Sequence, residues 1–313
     1  MKVAVCATVK NEASDAAALV ASLREQSLAA DEVVIVDGGS DDGTFEALSE
    51  AANGDSRLTL LRAPGTNISA GRNRAIAETE APLVAVTDAG LRRSPDWLAS
   101  LVSAVQVEPL AAGSFGYILA APHTTLEAAL GAVALPLARQ IDPYPNTPSS
   151  GSALFRREWL ERVGGYPEWL AHGEDLWLDR AIWRCGGWFR HAQGADVGIR
   201  PRSTVAAFFR QYFAYAAGDG HAGMLLPRHA LRYGAYALGL GLLQHPSPVA
   251  RVLLAVLTSA YLSGSLRRVP DVVRRASGLN PLVAGALAPA LRIVGDLAKM
   301  TGFVAGLSRR RPR

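Results

Sequence analysis

The stretch Val33-Val34-Ile35-Val36-Asp37-Gly38-Gly39-Ser40-Asp41-Asp42-Gly43-Thr44 decides the fold class. Four consecutive β-branched residues read as a strand buried on both faces, since a half-exposed strand would alternate apolar with polar. The run ends in an acid and two glycines, then passes straight into a helical pattern from Thr44 to Ala52. Strand, glycine-rich turn and helix in that order form the repeating unit of an open α/β sheet, whose ligand crevice lies beyond the carboxyl ends of the strands. An Asp closing the strand, beside glycines that let backbone approach closely, suits a ribose or uracil edge. The plainer reading of the same residues makes Ser40, Asp41 or Asp42 the N-cap of the helix.

The same unit recurs on both sides of this stretch. Lys2 to Thr8 reads as a first strand, and Asn11-Glu12 opens a helix through Gln26. Arg57 to Ala63 is a third strand, followed by a helix that Ser69 caps and that carries Arg72 and Arg74 in its first turns. Arginine there opposes the helix dipole, so a nearby anion explains it better than helix stability does. Leu83 to Asp88 is another buried strand ending in an acid, followed by Ala89-Gly90, and Pro95-Asp96-Trp97-Leu98 begins the next helix. Acids at two strand ends argue for a doubly wound sheet with a polar crevice.

Further on, Thr125 to Ala138 reads as a helix and Asp142 to Pro148 as a long loop. Ser149 to Arg157 holds a short strand, and the helix Glu158 to Val163 stops at Gly164-Gly165. Glu174 and Asp175 then stand at the start of a helix running through Trp183, where the dipole favours their ionised form.

A chain of 313 residues with 49% hydrophobic content can fill a sizeable core. Its two cysteines, Cys6 and Cys185, form no disulfide framework, which fits a reducing cytoplasm. The N-terminus runs directly into strand-like sequence with no secretory leader pattern. The net charge of +4 hides a division: residues 251–313 hold eleven Arg or Lys against two acids, a net +9, which leaves −5 for residues 1–250. The arginines of the tail flank apolar runs and lack interleaved aromatics, which points to an anionic membrane face and not to nucleic acid.

Taken together, five motifs resemble the family 2 glycosyltransferases in order and spacing: Thr8-Val9-Lys10-Asn11-Glu12, Asp37 to Thr44, Gly71-Arg72-Asn73, Asp88-Ala89-Gly90 and Gly173-Glu174-Asp175. Gly164-Gly165-Tyr166 also matches, and the likeness spans residues 1–200. It implies an α/β chain with the GT-A nucleotide-diphospho-sugar transferase fold, a doubly wound, Rossmann-like mixed sheet, here with an α-helical apolar C-terminal extension. By the same resemblance Thr8, Glu12, Asp37 and Gly39 would hold the base and ribose of a nucleoside-diphosphate sugar, and Arg72 would lie near the ribose or diphosphate. Asp88 would contact the donor through a divalent metal, Mg²⁺ or Mn²⁺. Asp175, with Glu174 beside it, stands where the family places its catalytic base, which implies inversion at the anomeric carbon. The departure is Gly90, where the metal motif ends in Asp; Mg²⁺ keeps waters and needs few protein carboxylates, so Asp88 with diphosphate oxygens still suffices. His172 and His191 flank the acidic helix and read as surface or structural groups.

The expected division is a catalytic domain 1–202, a helical connector 203–228 and an apolar, basic tail 229–313. Within the connector, Val205 to Ala216 reads as an aromatic helix ending at Gly218-Asp219-Gly220. The apolar runs Tyr233–Leu243 and Val252–Leu266 are shorter than the roughly 20 residues that cross a bilayer, so an interfacial hairpin is expected, with Leu282 to Leu307 as a third membrane-associating segment. The expected function is hexosyl transfer to an acceptor glycan or lipid-linked acceptor at the cytoplasmic face of the membrane, in envelope glycan synthesis; a homo-oligomer is compatible with it. The alternatives are a membrane-attached nucleotide-sugar-binding scaffold without turnover and a nucleotidyltransferase. No G-x-G-x-x-G or G-x-x-x-x-G-K-[ST] motif supports a dinucleotide or P-loop enzyme, and two distant cysteines without paired histidines argue against zinc.

Overall fold

The computed structural model describes residues 1–135, 137 and 148–310. Most of the expected loop, 142–147, lies outside the described residues, as do Ala138 and Arg311. In chain order the elements are β1 (Val3–Val9), α1 (Ala13–Arg24), β2 (Glu32–Asp37), α2 (Thr44–Ala52), β3 (Leu58–Arg62), α3 (Ile68–Ala77), β4 (Leu83–Asp88), β5 (Leu91–Arg92) and α4 (Trp97–Val107). There follow β6 (Gly113–Phe115), β7 (Ile118–Ala120), α5 (Thr125–Ala134), β8 (Ser152–Arg156), α6 (Arg157–Val163), α7 (Glu174–Arg184), β9 (Phe189–His191) and β10 (Val197–Ile199). Four helices close the chain: α8 (Val205–Ala222), α9 (Leu226–Gln244), α10 (Pro248–Val273) and α11 (Pro281–Leu307).

Two compact units result. The first comprises Met1–Leu119 and Ala138–Ile199, the second Ala120–Leu137 and Arg200–Arg313. The segments therefore group differently from the three consecutive stretches expected, because α5 goes with the terminal helices.

The first unit is a seven-stranded sheet in the order β3-β2-β1-β4-β8-β6-β9, with β5 pairing antiparallel to β10. β3, β2, β1 and β4 run parallel, and β8 runs antiparallel to β4. The continuous β-branched run of β2 is explained by its place inside the sheet: Val33 and Ile35 join the core beneath α1, α2 and α4, while Val34 and Val36 join the opposite core under α3, α6 and α7. β1 divides in the same way, with Val3, Val5 and Ala7 on one side and Cys6 on the other. Period-two projection into two apolar layers leaves no position for a polar residue until the strand ends, which is where Asp37 and Asp88 occur.

Local chemistry sets several boundaries. α3 begins at Ile68 and is capped by Asn67, whose side chain accepts from the Ala70 N–H at 2.9 Å. Ser69, expected as the cap, is buried one residue inside. α6 ends at Gly164 in the left-handed region, as the glycine pair foretold.

In the second unit α5 packs Ala128, Ala129, Leu130 and Ala132 against Val269 and Val272 of α10 and Ala284 and Ala288 of α11. Arg268 Nη1 donates to the Ala132 carbonyl at 3.3 Å and Arg275 Nη1 to the Ala120 carbonyl at 3.0 Å. α8 runs through Gly218 and Gly220, which were expected to end it. The reason is close packing on α11: a Cβ at Gly220 would stand 2.3 Å from the Phe303 carbonyl oxygen, and Cβ atoms at Gly302 and Gly306 would stand 2.2 and 2.0 Å from those of Phe213 and Ala217. These glycines let two helix backbones touch.

α10, with 26 residues, runs past the apolar stretch Val252–Leu266 at both ends, through Arg251 and through Arg267, Arg268 and Asp271, while α11, with 27, is the expected segment Leu282 to Leu307 with Pro281 added. Both are long and apolar enough to cross a membrane by length and composition.

Candidate active site

The carboxyl ends of the parallel strands carry the expected donor residues. Asp37 is 2% exposed, and its Oδ1 accepts from the Ser40 N–H (3.0 Å) and hydroxyl (2.6 Å). The first β–α turn is tied to this second one: the Asn11 N–H donates to Ser40 Oγ (2.9 Å), the Asp41 N–H to Asn11 Oδ1 (3.1 Å) and the Glu12 N–H to Thr44 Oγ1 (2.8 Å). Gly39, at φ +89°, packs against Pro64 of the turn after β3. Thr8 and Asp37, at the ends of β1 and β2, and Glu12 and Gly39, in the turns that follow them, are thus at adjoining strand ends. The Thr8 hydroxyl is buried without a hydrogen-bond partner among the described residues, and Gly71 lies so close that a Cβ there would meet Thr8 Cγ2 at 2.5 Å.

In register, Thr8 stands beside Asp88, while Asp37 ends β2 on the other flank of β1. Two inter-strand spacings put Asp37 and Asp88 about 10 Å apart. A nucleoside diphosphate spans such a gap.

Arg72 connects the sheet to the acidic helix. Its guanidinium, 2% exposed, donates from Nη2 to Asp88 Oδ1 at 2.7 Å and from Nη1 to Glu174 Oε1 at 2.8 Å, with the Tyr166 ring 5.3 Å away. The anion that the arginine on α3 called for is therefore this pair of carboxylates, and Arg72 faces them instead of open crevice. The neighbouring Asn73 clamps the segment before α7, donating to the Tyr166 carbonyl (2.9 Å) and accepting from the Tyr166 N–H (2.8 Å). Two motifs distant in sequence, Gly71-Arg72-Asn73 and Gly164-Gly165-Tyr166, are in contact.

Asp175 follows Glu174 in the first turn of α7. Burial, then the neighbouring Glu174 charge, raise its carboxyl to about 6 against the opposing pull of Arg72. One turn on, Asp179 is 1% exposed, its Oδ2 without a partner among the described residues, and burial followed by the Asp175 charge raises its carboxyl well above the usual range. Sequence reading passed over Asp179 and gave Tyr166 no role beyond its place in the Gly164-Gly165-Tyr166 motif; the spacing of Asp175 and Asp179, four apart on one helix face, was the available signal. Tyr166 lies buried beneath, its hydroxyl 2.7 Å from Ser150 Oγ. His191 is structural: it stacks on Tyr117 at 4.2 Å and pairs with Asp196 at 3.0 Å.

Among the described residues no three His, Cys, Asp or Glu side chains gather as a metal-binding group. Asp88 nonetheless fits a diphosphate-bound cation. Its side chain is 36% exposed, and Arg72 takes only Oδ1, so that Oδ2 accepts no hydrogen bond among the described residues.

Comparison with known proteins agrees with this architecture. The family model described as glycosyl transferase family 2 matches residues 4–164. The chain is 31% identical over 235 residues to the succinoglycan biosynthesis protein ExoA of Rhizobium meliloti (strain 1021), covering 71% of this chain and 69% of that protein. Among solved structures it is similar to the mannosyltransferase PcManGT from Pyrobaculum calidifontis in complex with GDP-Man and Mn²⁺. That match has a TM-score of 0.54 and 20% identity, over 95% of this chain and 86% of that one. The last likeness speaks for the fold: a GT-A mixed sheet with helices, followed by apolar C-terminal helices. With the matched model covering half the chain and ExoA alignable over two thirds of it, the protein belongs to glycosyl transferase family 2.

Proposed function

We propose that this glycosyltransferase moves a hexose from a nucleoside-diphosphate sugar to an acceptor hydroxyl with inversion, and that the acceptor is lipid-linked or an envelope glycan precursor. The observation that carries the reading is the Arg72 bridge, which ties the donor-side acid Asp88 to the helix start bearing Glu174 and Asp175. Thr8, Glu12, Asp37 and Gly39 hold the nucleoside. Asp88 would hold the donor's divalent cation, which would supply positive charge to offset that of the leaving diphosphate. Asp175 takes the proton of the acceptor hydroxyl. GDP-Man and Mn²⁺ in PcManGT and the succinoglycan pathway named for ExoA support a nucleotide sugar, a divalent metal and a glycan product of the envelope.

The raised pKa of Asp175 gives a sign to the pH dependence. A base must be ionised, so kcat is expected to fall about tenfold per unit below pH 6 and to level off above it. Stability moves oppositely. The folded carboxyl holds its proton more tightly than the unfolded one, so its contribution is complete below the ordinary carboxylate range and is lost as pH rises through about 6. A pH–rate profile flat between pH 5 and 7 contradicts the assignment.

The helical unit supports membrane association. Leu231, Leu243, Val249 and Val252 are each at least 64% exposed, whereas Asp296 and His229 are 2% exposed, paired with Arg232 (3.1 Å) and Asp219 (3.0 Å). Charge inside and leucine outside is the arrangement that suits lipid. The cytoplasmic face and a peripheral or inserted attachment complete the reading. The protein is expected to float with vesicles containing anionic lipid and to release nucleotide from a nucleotide sugar once acceptor is added. A binding scaffold, the reading favoured by the missing acid at Gly90, floats equally but releases none.

A further inference from the structure

Gly90 is where this chain departs from its family's metal motif. It sits at φ +69° in the turn between β4 and β5, and a Cβ built there has only Asp15 near it among the described residues, with Cγ and Oδ2 both at 3.9 Å. An Asp at 90 would carry its carboxylate beyond that Cβ, into the space the Asp15 carboxylate borders. Asp15 lies in the first turn of α1. Helix dipole alone would favour an acid there, but the dipole does not explain why it faces the turn that lacks one. Its side chain accepts a single hydrogen bond, from Ser14 Oγ at 3.1 Å, and no cation pairs with it among the described residues. On the Asp88 side, Oδ1 is occupied by Arg72 while Oδ2 accepts no hydrogen bond among the described residues. The buried Thr8 hydroxyl, next to Asp88 in the sheet, has no hydrogen-bond partner among the described residues. Two carboxylates and an orphan hydroxyl therefore border the same strand ends.

We propose that Asp15 supplies, from α1, the second carboxylate that position 90 lacks, so that the donor's divalent cation is held by Asp88 and Asp15 together. This rests on the reading of the site as one for a metal-bound nucleoside diphosphate. A hard cation with two carboxylates, diphosphate oxygens and water has a full oxygen shell. The relocation also accounts for glycine at 90: a third carboxylate beside Asp15 and Asp88 would add repulsion without a place in the shell.

Calorimetric titration of Mn²⁺ into the full-length protein, alone and with saturating UDP or GDP, tests the assignment. Wild type is expected to bind Mn²⁺ more tightly with one of the nucleotides present. Asp15→Asn is expected to weaken that binding at least tenfold while leaving the metal-free unfolding midpoint unchanged. Gly90→Asp in the Asp15→Asn background is expected to recover most of the loss, since aspartate tolerates the left-handed region. Equal Mn²⁺ affinity for wild type and Asp15→Asn overturns the Asp15 assignment while leaving the metal reading standing. If wild type takes up no Mn²⁺ with either nucleotide, the metal reading itself fails and the Asp15 assignment with it.

Discussion

Asp175→Asn lowers kcat for sugar transfer by about 10²- to 10⁴-fold, the range that one positioned proton acceptor contributes, while donor affinity stays within threefold of wild type. The asymmetry follows from where Asp175 stands. It lies in the first turn of α7, next to Glu174 but not itself held by Arg72, so the amide leaves intact the bridge from Arg72 to Asp88 and Glu174. The substitution is nearly isosteric and removes a charge that burial and Glu174 both disfavour, so the protein is expected to unfold at the same temperature or slightly higher above pH 6. Steady-state kinetics with a nucleotide titration separate the two effects. Turnover within fivefold of wild type would falsify the base assignment; a parallel loss of donor affinity would move Asp175 to the donor side.

Arg72→Met has the other large effect, and it falls on structure before chemistry. Removing the guanidinium leaves Asp88 and Glu174 without their shared partner in a site where the arginine is 2% exposed. Breaking a buried pair by deleting one member costs about 3–5 kcal/mol, which for a unit of this size lowers the melting temperature by roughly 6–20 °C. Donor binding should fall in step, since Asp88 then loses its fixed position at the end of β4. Arg72→Lys is expected to recover little of either, because one ammonium cannot place separate donors on two carboxylates as the planar guanidinium does. Thermal unfolding and nucleotide titration on both variants check this; a midpoint within 2 °C of wild type contradicts the bridge.

Much of the first unit was legible from local sequence because each signal there is local in origin. β-branched runs ending in acids gave the parallel strands and put Asp37 and Asp88 at their ends, and Gly164-Gly165 marked the stop of α6. Helix α3 was legible as an element, but its start was misplaced because Asn67 and Ser69 both qualify as caps. Packing alone made Asn67 the cap and buried Ser69. Gly218 and Gly220 read as a stop, since a glycine's role as an approach point depends on a helix that arrives eighty residues later.

The sequence by itself determined which residues carry charge, hydroxyl or flexibility at each strand end, and through periodicity it determined the layered α/β class. Tertiary structure alone decided their partnerships. Arg72 meets Asp88 and Glu174 across sixteen and a hundred and two residues of chain, Asn73 grips Tyr166 from ninety-three away, and the Asp15 carboxylate lies 3.9 Å from where a Cβ at Gly90 would stand. Propensity and pattern act over a few residues, whereas these contacts are set by strand order and helix packing, so the chemistry of each group was readable in advance and the identity of its neighbour was not.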